Sequence, residues 1–196
     1  MANERTPPRA VIGYAFCGSF CTFEASLTQL AVLVSQGYDV YPIMSEMAYG
    51  TDTRFGAAAT FRERIEALCG RPILHTVPET EPLGPAISLD ALVICPCTGN
   101  TLSKLACGMT DSPVCMATKA HLRCDRPLLI ALASNDAMSA NLENIAALMK
   151  RKQVFFVPMI QDDPVKKPHS LVADFSQLPL ALSAAMNGKQ LRKVFL

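Results

Sequence analysis

The run Leu89–Cys95 (LDALVIC) is apolar at almost every position and shows no alternation of polar and apolar residues. A strand that faces water on one side alternates; one that does not is buried on both faces and needs covering layers above and below. Ala10–Phe16 (AVIGYAF), Pro127–Ala133 (PLLIALA) and Val154–Val157 (VFFV) have the same character. Tyr38–Met44 (YDVYPIM) reads as a further strand despite Pro42. Segments with helical spacing lie between them. One runs from Thr22 or Phe23 to about Gln36, another from Thr53 or Arg54 to Cys69, and a third follows Thr98 and is closed by Gly108. Pro113–Arg123, Ser139–Arg151 and Asp174–Met186 complete the set, and a short strand is expected near Ile73–Val77. Strands alternating with helices predict an α/β fold: a three-layer, open parallel sheet of Rossmann-like type, with residues 1–196 as one domain and Val154–Val157 as its last strand.

Composition removes several classes of function. Half of the residues are apolar and 18% are charged, which is a folding composition and not a disordered one. A net charge of +1 gives no basis for binding nucleic acid or an anionic membrane. No apolar run approaches the roughly 20 residues that span a bilayer. Met1–Arg9 is polar and proline-bearing, so it reads as a flexible arm and not as a signal peptide. Eight cysteines without a Cys-x-x-Cys spacing, and only three histidines, read as reduced thiols of a cytoplasmic protein without a metal site.

Ligands of open α/β sheets bind beyond the carboxyl ends of the strands. Here those ends carry Gly18-Ser19, Ser45, Thr98 with Asn100 and Thr101, and Ser134-Asn135-Asp136, so four polar clusters are expected on one rim. A single Gly–Ser turn at a helix N-terminus suits one terminal phosphate. A dinucleotide reading with Glu46 on a ribose lacks the G-x-G-x-x-G glycines. Ordinary helix capping uses the same residue types, and that reading stands beside the binding one. Asn135, Asp136 and His169 are the candidates for catalysis. Lys119, His121 and Arg123 are candidate partners for substrate carboxylates, against the plainer reading of basic residues at a solvated helix end. Gln161–Ser170 (QDDPVKKPHS) carries Lys166 and Lys167 between two prolines and reads as a lid or docking loop leaving from the same rim.

With these residues laid out, the chain resembles the flavoprotein family that includes the flavin-dependent cysteine decarboxylases. Gly18-Ser19 matches the family's turn after the first strand, and Pro96, Asn100, Thr101, Lys104, Gly108 and Asp111 match its Pro-x-x-x-Asn-Thr-x-x-Lys-x-x-x-Gly-x-x-Asp run. Ser45 and Ala48 match part of the segment after the second strand, with Tyr49 displaced from the aromatic position. The resemblance implies FMN, its phosphate at Gly18-Ser19, with Ser45, Thr98, Asn100 and Thr101 in contact and the flavin buried between subunits of a homo-oligomer.

The departures count equally. Leu132–Met138 stands where the decarboxylases have Pro-x-Met-Asn-x-x-Met; Asn135 and Met138 remain, the proline and first methionine do not. No histidine precedes the central strand at the catalytic position, since His75 lies too early. Glu81–Pro85, Pro96–Thr101, Lys119–Arg123 and Gln161–Ser170 instead resemble members that act as one of two subunits. That resemblance implies oxidation of a small dihydropyridine dicarboxylate in the mother cell of a spore-forming bacterium, beside a separate partner protein carrying NADP. The alternatives are a non-catalytic flavin-fold support for that partner, or an FMN-dependent oxidoreductase or decarboxylase of another small acid.

Overall fold

The computed structural model describes residues 9–196; the arm expected over Met1–Arg9 lies, Arg9 apart, outside the described residues. Five strands form the parallel body of the sheet: β1 (Ala10–Phe16), β2 (Tyr38–Met44), β3 (Ala91–Cys97), β4 (Leu128–Ser134) and β5 (Val154–Phe156), in the order β2-β1-β3-β4-β5. The helices are α1 (Phe23–Ser35), α2 (Glu46–Gly50), α3 (Ala58–Cys69), α4 (Val77–Thr80), α5 (Gly99–Ala106), α6 (Pro113–Leu122), α7 (Leu142–Met149) and α8 (Leu178–Met186). Successive side chains of a strand point to opposite faces. Accordingly Ala91, Val93 and Cys95 of β3 join Phe23, Leu30, Ile65 and Leu182 in one buried cluster. Leu92 and Ile94 join Leu102, Val114, Ile130 and Ile145 in the other. So α1, α3 and α8 cover one face, α5, α6 and α7 the other. Each large aliphatic side chain so buried contributes about 1.5–3 kcal/mol.

The sheet does not stop at β5. Two short strands follow, β6 (Met159–Ile160) and β7 (Leu171–Ala173), and the sheet has seven strands. β7 runs antiparallel against the carboxyl half of β4, pairing Ala133 with Val172, while β5 pairs with the amino half. Val154–Val157 is therefore not the last strand. Two- and three-residue strands leave too few positions for a period to show in sequence. Gln161–Ser170 is the connection between β6 and β7, and it sits at the carboxyl rim because β6, antiparallel to β7, runs in the direction of β4.

Three other boundaries differ from expectation. The second long helix begins at Ala58 and not at Thr53 or Arg54, because Thr53 and Gly56 exchange two backbone bonds in a tight turn and Asp52 accepts from Ala58 N–H at 2.8 Å. Ile73–Val77 makes no strand: Leu74 alone bridges to Ile43, and a capping box on Thr76 and Glu79 then opens α4. β3 continues through Pro96 to Cys97, and Pro96 C=O accepts from Cys17 N–H at 3.1 Å. Among the described residues, no helix is long and apolar enough to cross a membrane.

Candidate ligand cleft on the carboxyl rim

The chain crosses from β1 to β2 on one side, then returns to β3 on the other, so a crevice opens between the β1 and β3 ends. Backbone bonds hold the three loops around it in register: Ser45 N–H donates to Phe16 C=O at 3.0 Å, and Cys17 N–H to Pro96 C=O. The result is a cleft of about 400 Å³ lined by Gly18, Ser45, Thr98, Asn100, Thr101 and Lys104, with Glu46, Met47 and Ser112 at its edge.

Local chemistry explains each position. Thr98 caps α5, its hydroxyl accepting from Thr101 N–H at 3.2 Å and lying 3.1 Å from the Thr101 hydroxyl. Ser45 caps α2 through Ala48 N–H in the same way. The capping reading and the convergence on one rim are thus both realised, since a cap places its hydroxyl at the mouth of the helix. Cys17 is sealed behind Thr101, and burial pushes its thiol up to about 12, so it is an inert wall and not a nucleophile. Gly99 admits no side chain: a Cβ there would lie 2.5 Å from Ser134 Oγ, 2.6 Å from Asn141 Nδ2 and 2.9 Å from Asp136 Oδ1. The glycine of the CTGN run lets α5 start against the polar end of β4.

Lys104 is absent from the binding residues that the sequence suggests. It lies four positions after Asn100, and that spacing places both on one side of α5. It is the single cation lining the cleft among the described residues, and it pairs with Asp111 at 2.9 Å across the turn at Gly108. The spacing of Asn100, Lys104, Gly108 and Asp111 thereby acquires a physical cause.

The remaining candidates divide. Asn135 and Lys167 line a second hollow of about 330 Å³, with Ser19, Cys21, Thr22 and Asp162, adjoining the first across Gly18-Ser19. Lys167 is paired there with Asp162 at 2.8 Å. Asp136 is held below the usual carboxylate range, first by the Ser134 hydroxyl and then by the Asn141 amide, so it anchors the turn after β4 and is a weak base. Lys166 and His169 are exposed and line neither hollow.

Lys119, His121 and Arg123 are corrected outright in position. They lie toward the end of α6 that leads into the start of β4, opposite the cleft. His121 is fully buried, with Nε2 donating to Pro127 C=O at 2.9 Å and Nδ1 without a partner. Arg123 meets Glu81 at 3.5 Å, and Lys119 lines a separate hollow with Leu105 and Met109. A helical run of basic residues in sequence does not reveal which end of the sheet it reaches.

A rim cleft of hydroxyls, helix-terminal N–H groups and one ammonium at a β1–β3 crossover is the arrangement of an anion-binding α/β protein. The flavoprotein family profile matches residues 3–177, and the chain belongs to that family. The B subunit of dipicolinate synthase from Bacillus subtilis (strain 168) is 44% identical to it over 183 residues, 93% of this chain and 92% of that protein. The crystal structure of the B subunit of dipicolinate synthase from Bacillus halodurans C superposes with a TM-score of 0.89 at 38% identity, covering 98% of each chain. The FMN-dependent cysteine decarboxylase SpaF, at 22% identity, covers 92% of this chain and 99% of its own, with a TM-score of 0.67; this is a likeness of fold.

Burial holds the His121 pKa below its ordinary value, the bond to Pro127 opposing in part. The unfolded chain, titrating near 6.5, therefore takes up a proton that the folded chain refuses. Stability is expected to fall as pH drops below about 6.5, with a slope approaching ~1.4 kcal/mol per pH unit until the folded value is reached. Urea unfolding from pH 7.5 to 5 should show that slope, and His121→Gln should remove it; an identical slope in the variant places the effect elsewhere.

Proposed function

We propose that this chain is the B subunit of a dipicolinate synthase. In this reading its rim cleft takes FMN, and together with a separate A subunit it converts dihydrodipicolinate to dipicolinate, pyridine-2,6-dicarboxylate. The setting is the cytoplasm of the mother cell of a sporulating bacterium. The observation that carries the proposal is 44% identity across 93% of the chain to a protein of that name, with the rim cleft built from the same family motif.

The donor set fits a flavin mononucleotide. Gly18, of the Gly18-Ser19 turn to which the resemblance assigns the phosphate, lines the cleft, while Ser19 lines the adjoining hollow. Ser45, Thr98, Asn100, Thr101, the first N–H groups of α5 and the Lys104 ammonium offer polar contacts to the rest of the nucleotide. Aromatising the dihydropyridine removes two electrons and two protons, and a flavin here, or NADP on the A subunit, supplies the acceptor for that chemistry when bound. The chain's own part is to bind and orient. Lys167 holds a substrate carboxylate by exchanging it for Asp162, since a half-exposed ion pair is weak enough to open. Asn135, in the same hollow, orients the ring. A second reading, a support for the A subunit that does no chemistry, is favoured by one observation: Asp136, the acid at the end of β4, is already engaged by Ser134 and Asn141.

Titration with FMN is expected to quench its fluorescence, and Asn100→Leu to weaken binding by about tenfold or more. An unchanged titration removes this cleft as the flavin site. Self-association is part of the proposal, because Met47 at the cleft edge is 61% exposed and Met109, after α5, 46%; light scattering at micromolar concentration should report an oligomer, and a monomer alone refutes it. In the pair reconstituted with the A subunit, Lys166→Ala with Lys167→Ala should leave flavin content intact and lower dipicolinate formation. Full activity there returns the loop to a passive connection.

A further inference from the structure

The corner where β5 begins, at the opposite end of the sheet from the cleft, carries six of the chain's eighteen lysines and arginines. Lys150, Arg151 and Lys152 follow α7; Lys189, Arg192 and Lys193 follow α8. Arg151, Lys152 and Arg192 line a cavity of about 510 Å³ together with Met149, Phe155 and Gln190, and Lys150, Lys189 and Lys193 each adjoin a lining residue in the chain. Helix ends attract cations, and this accounts for one of them: Arg151 donates to Leu105 C=O at 3.1 Å and Ala106 C=O at 2.7 Å, capping α5. Lys152 meets Asp125 at 2.6 Å, but both side chains are largely exposed and such a pair exchanges readily. Lys150, Lys189, Arg192 and Lys193 form no ion pair among the described residues.

This is not a loose basic tail. Lys189 N–H closes the end of α8 on Ala184 C=O at 2.9 Å. The Gln190 amide then pairs with Phe156 as a neighbouring strand would, accepting from its N–H at 2.8 Å and donating to its C=O at 2.7 Å. Beyond the cations, Val194 is buried and its C=O accepts from Met159 N–H at 2.7 Å. Residues 189–193 thus form an arch pinned at both ends, which holds like charges together before any ligand arrives. Such preorganisation lowers the entropy lost on binding. Met149 and Phe155 give the cavity an apolar wall beside the cations, and its volume lies in the range of small-molecule sites.

We propose that this corner binds a nucleoside phosphate, the phosphates on Lys152 and Arg192 with Lys189 at the rim between the lining residues Gly188 and Gln190, and the base against Phe155 and Met149. Calorimetric titration of the full chain with ADP tests it, alongside tripolyphosphate and the exposed-residue variant Lys189→Gln with Arg192→Gln, its fold checked by circular dichroism. Expected are saturable one-to-one binding of ADP, weakened by salt, about tenfold or more weaker in the variant, and stronger than that of tripolyphosphate. FMN quenching should be the same in both proteins. The proposal is overturned by ADP that does not saturate at millimolar concentration, by equal affinity in the variant, or by tripolyphosphate binding as tightly as ADP. Loss of FMN quenching in the variant also overturns it, by making the corner part of the flavin site; a variant that no longer binds the A subunit, in a protein that never bound ADP, makes it a protein-docking face.

Discussion

Burial of both faces of β1, β3 and β4 is the constraint from which the rest of the molecule follows. A strand covered on both sides offers no side chain to water along its length, so polar chemistry is confined to where strands end. In β3 and β4 every residue is buried, and the first side chains free to meet a ligand are those of Thr98 and Asn135, immediately beyond. The same burial requires helices on both sides, and each helix that packs there starts at the carboxyl rim or returns to the amino rim. Helix N-termini and strand ends therefore meet at one edge, and helix C-termini gather at the other.

The backbone groups exposed at the two edges have opposite polarity for that reason. At the carboxyl rim, unsatisfied N–H groups of α5 and the capping hydroxyls of Thr98 and Ser45 make a hydrogen-bonding mouth that also holds the Lys104 ammonium and the Glu46 carboxylate. At the amino edge, carbonyl ends of α5, α7 and α8 are matched by cations, one of which, Arg151, is visibly spent on that task. The cations around Lys189 and Arg192 exceed what those carbonyls require. The flavin reading and the nucleoside phosphate reading thus rest on separate ends of one sheet.

Much of this was legible in the chain. The five parallel strands, the long helices and the polar rim follow from apolar runs, helical spacing and punctuation at Gly108, all of which are local signals. Of the six expected residues, Gly18, Ser45, Thr98, Asn100 and Thr101 line one cleft and Ser19 lines the adjoining hollow, because a strand–turn–helix unit fixes where its turn must lie. Where expectation failed, the deciding contact was distant. β7 is three residues long and exists through its pairing with Ala133 and Ser134; Leu74 is tied to β2 by two backbone bonds that have no sequence signature.

His121 shows the division most sharply. Its place near the end of a helix, between Lys119 and Arg123, is the pattern of a solvated cation cluster, yet the ring is buried and bonded to the backbone just ahead of β4. Lys104 shows the converse, a residue of plain appearance turned into the cleft by helical pitch and held by Asp111. By itself the sequence determined the layers, the strand directions and the rim, since hydrophobic periodicity and capping act between residues a few positions apart. Only the tertiary structure decided which basic residues face the cleft, which lie buried, and which gather at the far corner. Those outcomes depend on pairings across tens of residues, and a side chain carries no local mark of them.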